Sequence, residues 1–403
     1  MLNSLLIAGF LKSVGGVLLA VVILLVMVTV HELGHYIAGK ILKFKITEFS
    51  IGFGPALFKR RSKRTGEIFA IRVVPLGGYC AFDGEDEYED TPTAKKVEEP
   101  FAELQETPVS VQTEQKDVGR VEATEYPEPT GERFNDQAPW KRIIVLLAGV
   151  TMNYILSVLL IIVMFASFGR TVYRVQVEKP VEGQTQTLIA ESGLHTGDVI
   201  IEINGQKPYL VTDYADILNG KKAGDKLTFT VLVNGEKTTR EVTLVADAKL
   251  KNMSDTNTLL NALGIYGMYS QNAREGFFQT IGSSFVYSFK IGGTLIRSLG
   301  ELLTGKLAIT SMGGPVTTIK VTSEVASSGF ASFLNIFAFI GVNLAVFNLL
   351  PIPALDGCKV IFCIIEWIRK KPINRKVETI INLVGILFLF GFAILVDILQ
   401  FVL

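Results

Sequence analysis

Four stretches of this chain carry no charge for the length that a bilayer demands. Their uncharged cores are residues 13–30, 143–169, 329–355 and 379–396. About 18 or more consecutive apolar residues mark a membrane-crossing helix. Within hydrocarbon every backbone N–H and C=O must find its partner inside the segment, so these stretches are expected as helices. With 49% apolar and 19% charged residues in 403, the predicted fold class is a polytopic α-helical membrane protein with four transmembrane helices. The first run could open a secretory signal, but it is long and no small-x-small cleavage site follows it, so it reads as an uncleaved anchor. The 39 basic and 39 acidic side chains cancel, which removes any bulk electrostatic case for nucleic acid. Three cysteines, Cys80, Cys358 and Cys363, lack metal spacing and read as small buried residues rather than a disulfide framework.

Basic residues set the orientation. Lys40, Lys43 and Lys45 follow the first apolar run, Lys141 and Arg142 precede the second, and Arg369, Lys370, Lys371, Arg375 and Lys376 precede the fourth. All of them fall on one side, which the positive-inside rule makes the cytosol. Both termini and the long segment between the second and third spans are then outside the cell.

Between the spans the chain alternates in character. Residues 37–84 combine glycine-punctuated apolar runs with a basic turn, "FKRRSKR", and are expected as a membrane-associated β region; a cytosolic sheet is the competing reading. Residues 85–132, dense in Glu, Asp, Thr and Pro, are expected as a flexible acidic cytosolic loop. Residues 172–248 alternate like strands ("DKLTFTVLV") and carry turn signals at "NGQ" and "NGE", so they read as an extracytoplasmic β-rich domain. Residues 271–305 have mixed aromatic and aliphatic spacing with few charges, as for an amphipathic helix on the outer leaflet.

The chemistry gathers at "VTVHELGHYIAGK", where the first span (residues 1–36) ends in His31, Glu32 and His35. Four residues apart on a helix, the two imidazoles face one point, with Glu32 beside them. This H-E-x-x-H spacing is the one in which two histidines bind Zn²⁺ and the glutamate serves as base. Ionisable groups at membrane depth are costly, and two of only three histidines lie here. The third, His195 in "SGLHTGD", reads as a turn residue. A catalytic zinc commonly has three protein ligands, and the candidate for the third is Asp356 in "NLLPIPALDGCKV" at the end of the third span (329–357). Pro351 and Pro353 break the helix there and free Asp356 to turn, although a helix-capping role is also open to it. Asn348, close by in sequence, is a candidate for oxyanion or substrate-backbone contact, or for helix-end hydrogen bonding.

These motifs together resemble the site-2 proteases, zinc intramembrane metalloproteases, and within them the bacterial regulator-of-sigma-E (RseP-like) branch. His31-Glu32-Leu33-Gly34-His35 resembles the first zinc motif and Asn348 through Gly357 the N-x-x-P-x-P-x-L-D-G motif; "GFGP" and "PLGGY" resemble the β region, and "GGPV" at residues 313–316 also fits. "GLHTGDVIIEING" is similar to a bacterial PDZ domain, of which there is one. The A-G-P-x-x-N of the second span departs to Ala148-Gly149-Val150-Thr151-Met152-Asn153, keeping Asn153 as a candidate substrate-binding or oxyanion residue without the proline. The resemblance implies His31, His35 and Asp356 as zinc ligands and Glu32 as the base. It further implies cleavage, in a bacterial inner membrane, of single-span proteins such as anti-sigma factors or signal-peptide remnants, after a site-1 protease has trimmed them. The PDZ-like domain over the outer mouth would exclude untrimmed substrates by size. Alternatives are a membrane zinc protease acting on soluble tails and a noncatalytic PDZ-bearing membrane scaffold.

Overall fold

A computed structural model describes residues 2–85, 126–179, 188–252, 255–311 and 313–402. Most of the expected acidic loop, residues 86–125, therefore lies outside the described residues. The chain divides into two compact units, residues 1–31, 148–350 and 387–403 in one and residues 32–147 and 351–386 in the other. Three helices pass from one unit to the other: α1 (Leu2–Ile41), α2 (Pro139–Phe168) and α9 (Arg375–Val402).

Among the described residues, four helices are long and apolar enough to cross a membrane: Val14–Ile41, Pro139–Phe168, Phe330–Leu349 and Arg375–Gln400. Their outward faces keep Leu18, Leu159, Phe339, Leu387 and Phe390 exposed, a surface suited to acyl chains and poorly suited to water.

The first unit carries a five-stranded antiparallel sheet ordered β6-β5-β4-β3-β7. Its strands are β3 (Arg170–Gln176), β4 (Val199–Ile203), β5 (Lys226–Val233), β6 (Glu236–Thr243) and β7 (Gly267–Ala273). The hairpin β5–β6 turns at Asn234 and Gly235, both at positive φ, the conformation a two-residue turn of this twist requires. Helices α3 (Val211–Leu218) and α4 (Thr256–Leu263) cover a core of Leu194, Ile200, Tyr214, Phe229, Val231 and Leu259. The sheet corrects the expected boundary of 172–248, because β7 pairs along all of β3 from Arg170 to Gln176. Its sequence "GMYSQNA" has no apolar alternation and most of its residues are exposed, so sequence periodicity gives it no signal.

Helix α5 (Phe277–Leu303) follows, inside the expected amphipathic segment. It buries Ser284, Tyr287, Ser288 and Ile291 and exposes Phe277, Phe278, Phe285 and Phe289. Two more helices, α6 (Pro315–Ala326) and α7 (Phe330–Leu349), close this unit's helical part.

The third predicted span, 329–357, is shorter than expected: α7 stops at Leu349, and the chain runs through Leu350–Leu355 into a separate helix, α8 (Asp356–Arg369). Pro351 and Pro353 account for the break, since neither can donate to a helical carbonyl.

The second unit is built on two long bent strands, β1 (Ile46–Arg61) and β2 (Ile68–Phe82). Each folds back on the sheet, so that β1's Glu48–Ile51 pairs with both Ile68–Ile71 and Gly78–Ala81 of β2, while Phe58–Arg61 pairs with Ile68–Ile71 on its far side. Four strand segments result, with Gly78–Phe82 at an edge. The bend at Gly52 needs glycine: φ is +86°, and a Cβ there would lie 2.8 Å from the Val74 carbonyl oxygen. Phe44, Ile46, Phe82, Phe134, Val145 and Leu146 form the core, joined by Val360 and Cys363 of α8. All three cysteines are buried and free.

Candidate active site

Helix α1 places His31 and His35 one turn apart, each 7% exposed. Within the second unit, His35 Nδ1 lies 2.8 Å from the Val145 carbonyl oxygen. A carbonyl only accepts, so Nδ1 carries the proton and Nε2 presents a lone pair. That Nε2 lies 3.4 Å from Asp356 Oδ2. Asp356 is the first residue of α8, where Leu355 occupies the capping position and no side chain caps the helix end. The carboxylate faces His35.

His31 is oriented from α2. Asn153 is fully buried, and its amide lies 3.4 Å from His31 Nδ1. Its Oδ1 has no hydrogen-bond partner. With the amide turned so that its oxygen meets the ring, His31 Nδ1–H donates to Oδ1 and Nε2 is left for another ligand.

His31, His35 and Asp356 offer ligand atoms that all lie within 4.8 Å of one another. Tetrahedral coordination at about 2.0–2.1 Å separates neighbouring ligand atoms by roughly 3.3 Å. The His35–Asp356 separation of 3.4 Å meets that requirement, and two neutral imidazoles with one carboxylate are a donor set suited to zinc. Among the described residues no other group of this kind occurs.

Glu32, half-buried, opens with His35 and Asp356 into a cavity of about 430 Å³ whose wall is the edge segment Tyr79–Phe82. Tyr79 is held rigidly there. Arg72 donates to Glu48 at 2.7 Å and to the Tyr79 hydroxyl at 2.8 Å, and that hydroxyl donates to Glu48 at 2.8 Å. Burial, then donation to Glu48, pushes the Tyr79 phenol above its ordinary range. Burial likewise raises the Cys80 thiol, with the charge of Glu32 adding to it, so Cys80 stays protonated and unreactive. Lys359 and Glu85, 2.7 Å apart, form a charged rim.

Two candidates stand elsewhere. Asn348 is half-buried in the last turn of α7, in the other compact unit from Asp356. His195 belongs to the five-stranded domain, where its N–H donates to Asp198 and its ring lies 3.4 Å from Arg240.

Three supporting features had no sequence signature. One is the Val145 carbonyl, since a backbone oxygen is the same in any residue. Another is the brace behind Asp356: Asn382 of α9 accepts from the Ala354 N–H at 3.2 Å, and Gly385 lies so close to Pro353 that a Cβ would fall 2.3 Å from the proline ring. The third is a buried clasp in which Glu366 of α8 takes Arg142, at the start of α2, and Arg375, at 3.2 Å. Both arginines also hold the fold, Arg142 being only 4% exposed.

Comparison with known proteins agrees with this geometry. The profile described as Peptidase family M50 matches residues 19–392. The regulator of sigma-W protease RasP of Bacillus subtilis is 27% identical over 93% of this chain and 96% of its own length. The zinc metalloprotease RasP is 28% identical in Bacillus licheniformis, over 90% and 93% of the two chains, and 28% in Geobacillus kaustophilus, over 89% and 91%. The family match spans nearly the whole chain and includes every residue of the His31-His35-Asp356 cluster, so this protein is a zinc metalloprotease of the M50, or site-2 protease, family.

Proposed function

We propose that the protein cleaves peptide bonds within transmembrane segments of single-span membrane proteins, using His31, His35 and Asp356 to hold zinc and Glu32 as the general base. The observation that carries this reading is the cluster itself, at the end of a helix apolar enough to span a bilayer and open, beside Glu32, to a cavity edged by a strand. Zinc supplies Lewis-acid polarisation of a peptide carbonyl and of water. Glu32 takes the proton of the attacking water and returns it to the leaving amine. His35, its tautomer fixed by Val145, and His31, oriented by Asn153, keep their Nε2 atoms toward one point.

A substrate helix has its amides bonded internally, so a carbonyl reaches the site only after local unwinding. The edge segment Gly78–Phe82 pairs with β1 on one side, and its other side is suited to receive the unwound stretch by backbone hydrogen bonds. The setting we infer is a bacterial inner membrane with the zinc site toward the cytosol and the five-stranded, PDZ-like domain outside. Substrates would arrive pre-trimmed by a site-1 protease, as for anti-sigma factors or signal-peptide remnants in regulated intramembrane proteolysis.

The test uses detergent-purified full-length chain, zinc analysis and a transmembrane peptide substrate. Glu32→Gln should retain zinc and lose cleavage by about 10²–10⁴-fold, the range general-base catalysis contributes. Asp356→Asn should lose both zinc and activity. Normal turnover by Glu32→Gln would sink the mechanism, and undiminished zinc affinity in Asp356→Asn would remove Asp356 from the ligand set.

A further inference from the structure

A second cavity in the second unit, of about 750 Å³, takes no part in the chemistry above. Two of its lining side chains are buried donors that lack an acceptor. Gln137 is 3% exposed and Arg142 4%; neither Gln137 Nε2 nor Arg142 Nε makes a hydrogen bond, although Lys141 donates to Gln137 Oε1 at 2.8 Å. A buried N–H left without an acceptor costs about 1–3 kcal/mol, so a cavity lined by both residues is suited to an acceptor from outside the chain.

The charge around them has one sign in excess. Arg133, Arg142, Lys370, Lys371 and Arg375 line the cavity against two carboxylates, Asp136 and Glu366. Glu366 is already committed to Arg142 and Arg375 and accepts the Ile373 N–H at 3.0 Å. Lys370 and Lys371 are exposed. The cavity also stands where α2 and α9 begin, at Pro139 and Arg375, and the positive end of a helix dipole favours anions.

The same two helices are spanning candidates, so their N-terminal ends mark the level at which hydrocarbon gives way to headgroups. Of the protein's two tryptophans, Trp367 lines the cavity and is 56% exposed, and Trp140, next to the lining residue Pro139, is 43% exposed. Exposed tryptophan belongs at that depth. We propose that this cavity binds the phosphate headgroup of an anionic phospholipid, with Gln137 Nε2 and Arg142 Nε donating to its oxygens and Lys370 and Lys371 closing over it.

Because Trp367 lines the cavity, quenching reads it directly. Full-length chain is reconstituted in bilayers containing brominated phosphatidylglycerol or brominated phosphatidylcholine, with Trp140→Phe to isolate Trp367. The glycerol lipid should quench at markedly lower mole fraction. Lys370→Gln with Lys371→Gln should weaken that preference about thirtyfold, as expected for two cations beside an anionic surface. Gln137→Met, which removes the buried donor at constant length, should lower it too, and far-UV circular dichroism checks that both variants stay folded. Inorganic phosphate at tens of millimolar should leave the preference intact. Equal quenching by the two lipids, an unchanged preference in either folded variant, or displacement by inorganic phosphate would each overturn the lipid assignment, the last by showing a site for soluble anions.

Discussion

A histidine that gives Nε2 to a metal needs a fixed partner for Nδ1–H, because the free ring would sample both tautomers. His35 has the Val145 carbonyl at 2.8 Å, which no side-chain substitution removes. His31 depends on Asn153, a buried amide that mutation can remove. Asn153→Leu should therefore weaken zinc affinity about 10–100-fold, the usual cost of losing an outer hydrogen bond to a ligand, measured by competition with a fluorescent zinc chelator. An unchanged affinity would show that α1 alone orients the ring. The H-E-x-x-H spacing was readable in the sequence because helix periodicity is local. Asn153 was readable only as a motif residue, a candidate for substrate or oxyanion contact. Nothing in a sequence states which carbonyl will meet which imidazole.

Among the elements, the segment Leu350–Leu355 governs how Asp356 is presented. Ala354 sits at φ +77°, a conformation a non-glycine residue holds only when its surroundings impose it. Asn382 and Gly385 of α9 provide that constraint. Gly385→Val should push Pro353 away, costing about 1–3 kcal/mol as overpacking does. Zinc retention should fall with it, because the Asp356 carboxylate moves with the loop. Thermal unfolding with and without added zinc checks this: the shift produced by zinc should shrink in the variant, and an undiminished zinc shift would mean the loop is positioned from elsewhere. The four spans were legible because absence of charge is a strong local signal. Helix α8 was not, since Lys359, Glu366 and Arg369 interrupt its apolar pattern. Glu366 is nonetheless buried among two arginines, and which acid a cation will find across the fold is a tertiary fact.

For the whole molecule, connection lengths matter most. The five-stranded domain leaves α2 through Gly169 alone and reaches α5 three residues after β7. The size exclusion that the family resemblance implies for this domain is testable by deletion. Because the sheet runs from Arg170 to Ala273, a deletion that tests this must remove all of it; removing residues 172–248 would strand β7 without β3. With 170–273 replaced by a short flexible linker, a gate predicts faster cleavage of untrimmed substrate and about unchanged cleavage of trimmed substrate. Loss of trimmed-substrate cleavage in a folded, zinc-loaded variant would make the domain a recruiter. The existence of a β-rich insert was legible from alternation in β5 and β6. Its limits were not, because the closing edge strand is polar and its pairing is entirely non-local.

The outer side of the edge segment Gly78–Phe82, if it takes the substrate strand proposed above, sets a length for that strand. Five residues rise about 7.5 Å in a helix and about 17 Å in a strand, so unwinding them lengthens the segment by roughly 9 Å. In a bilayer with a fixed hydrocarbon thickness that added length has to go somewhere, by tilting the remaining helix or by sliding one end out of the membrane. A helix anchored by bulky groups at both ends has no slack to yield. One relieved of its outer mass can slide, and on this reading prior trimming acts through mechanical freedom as much as through access.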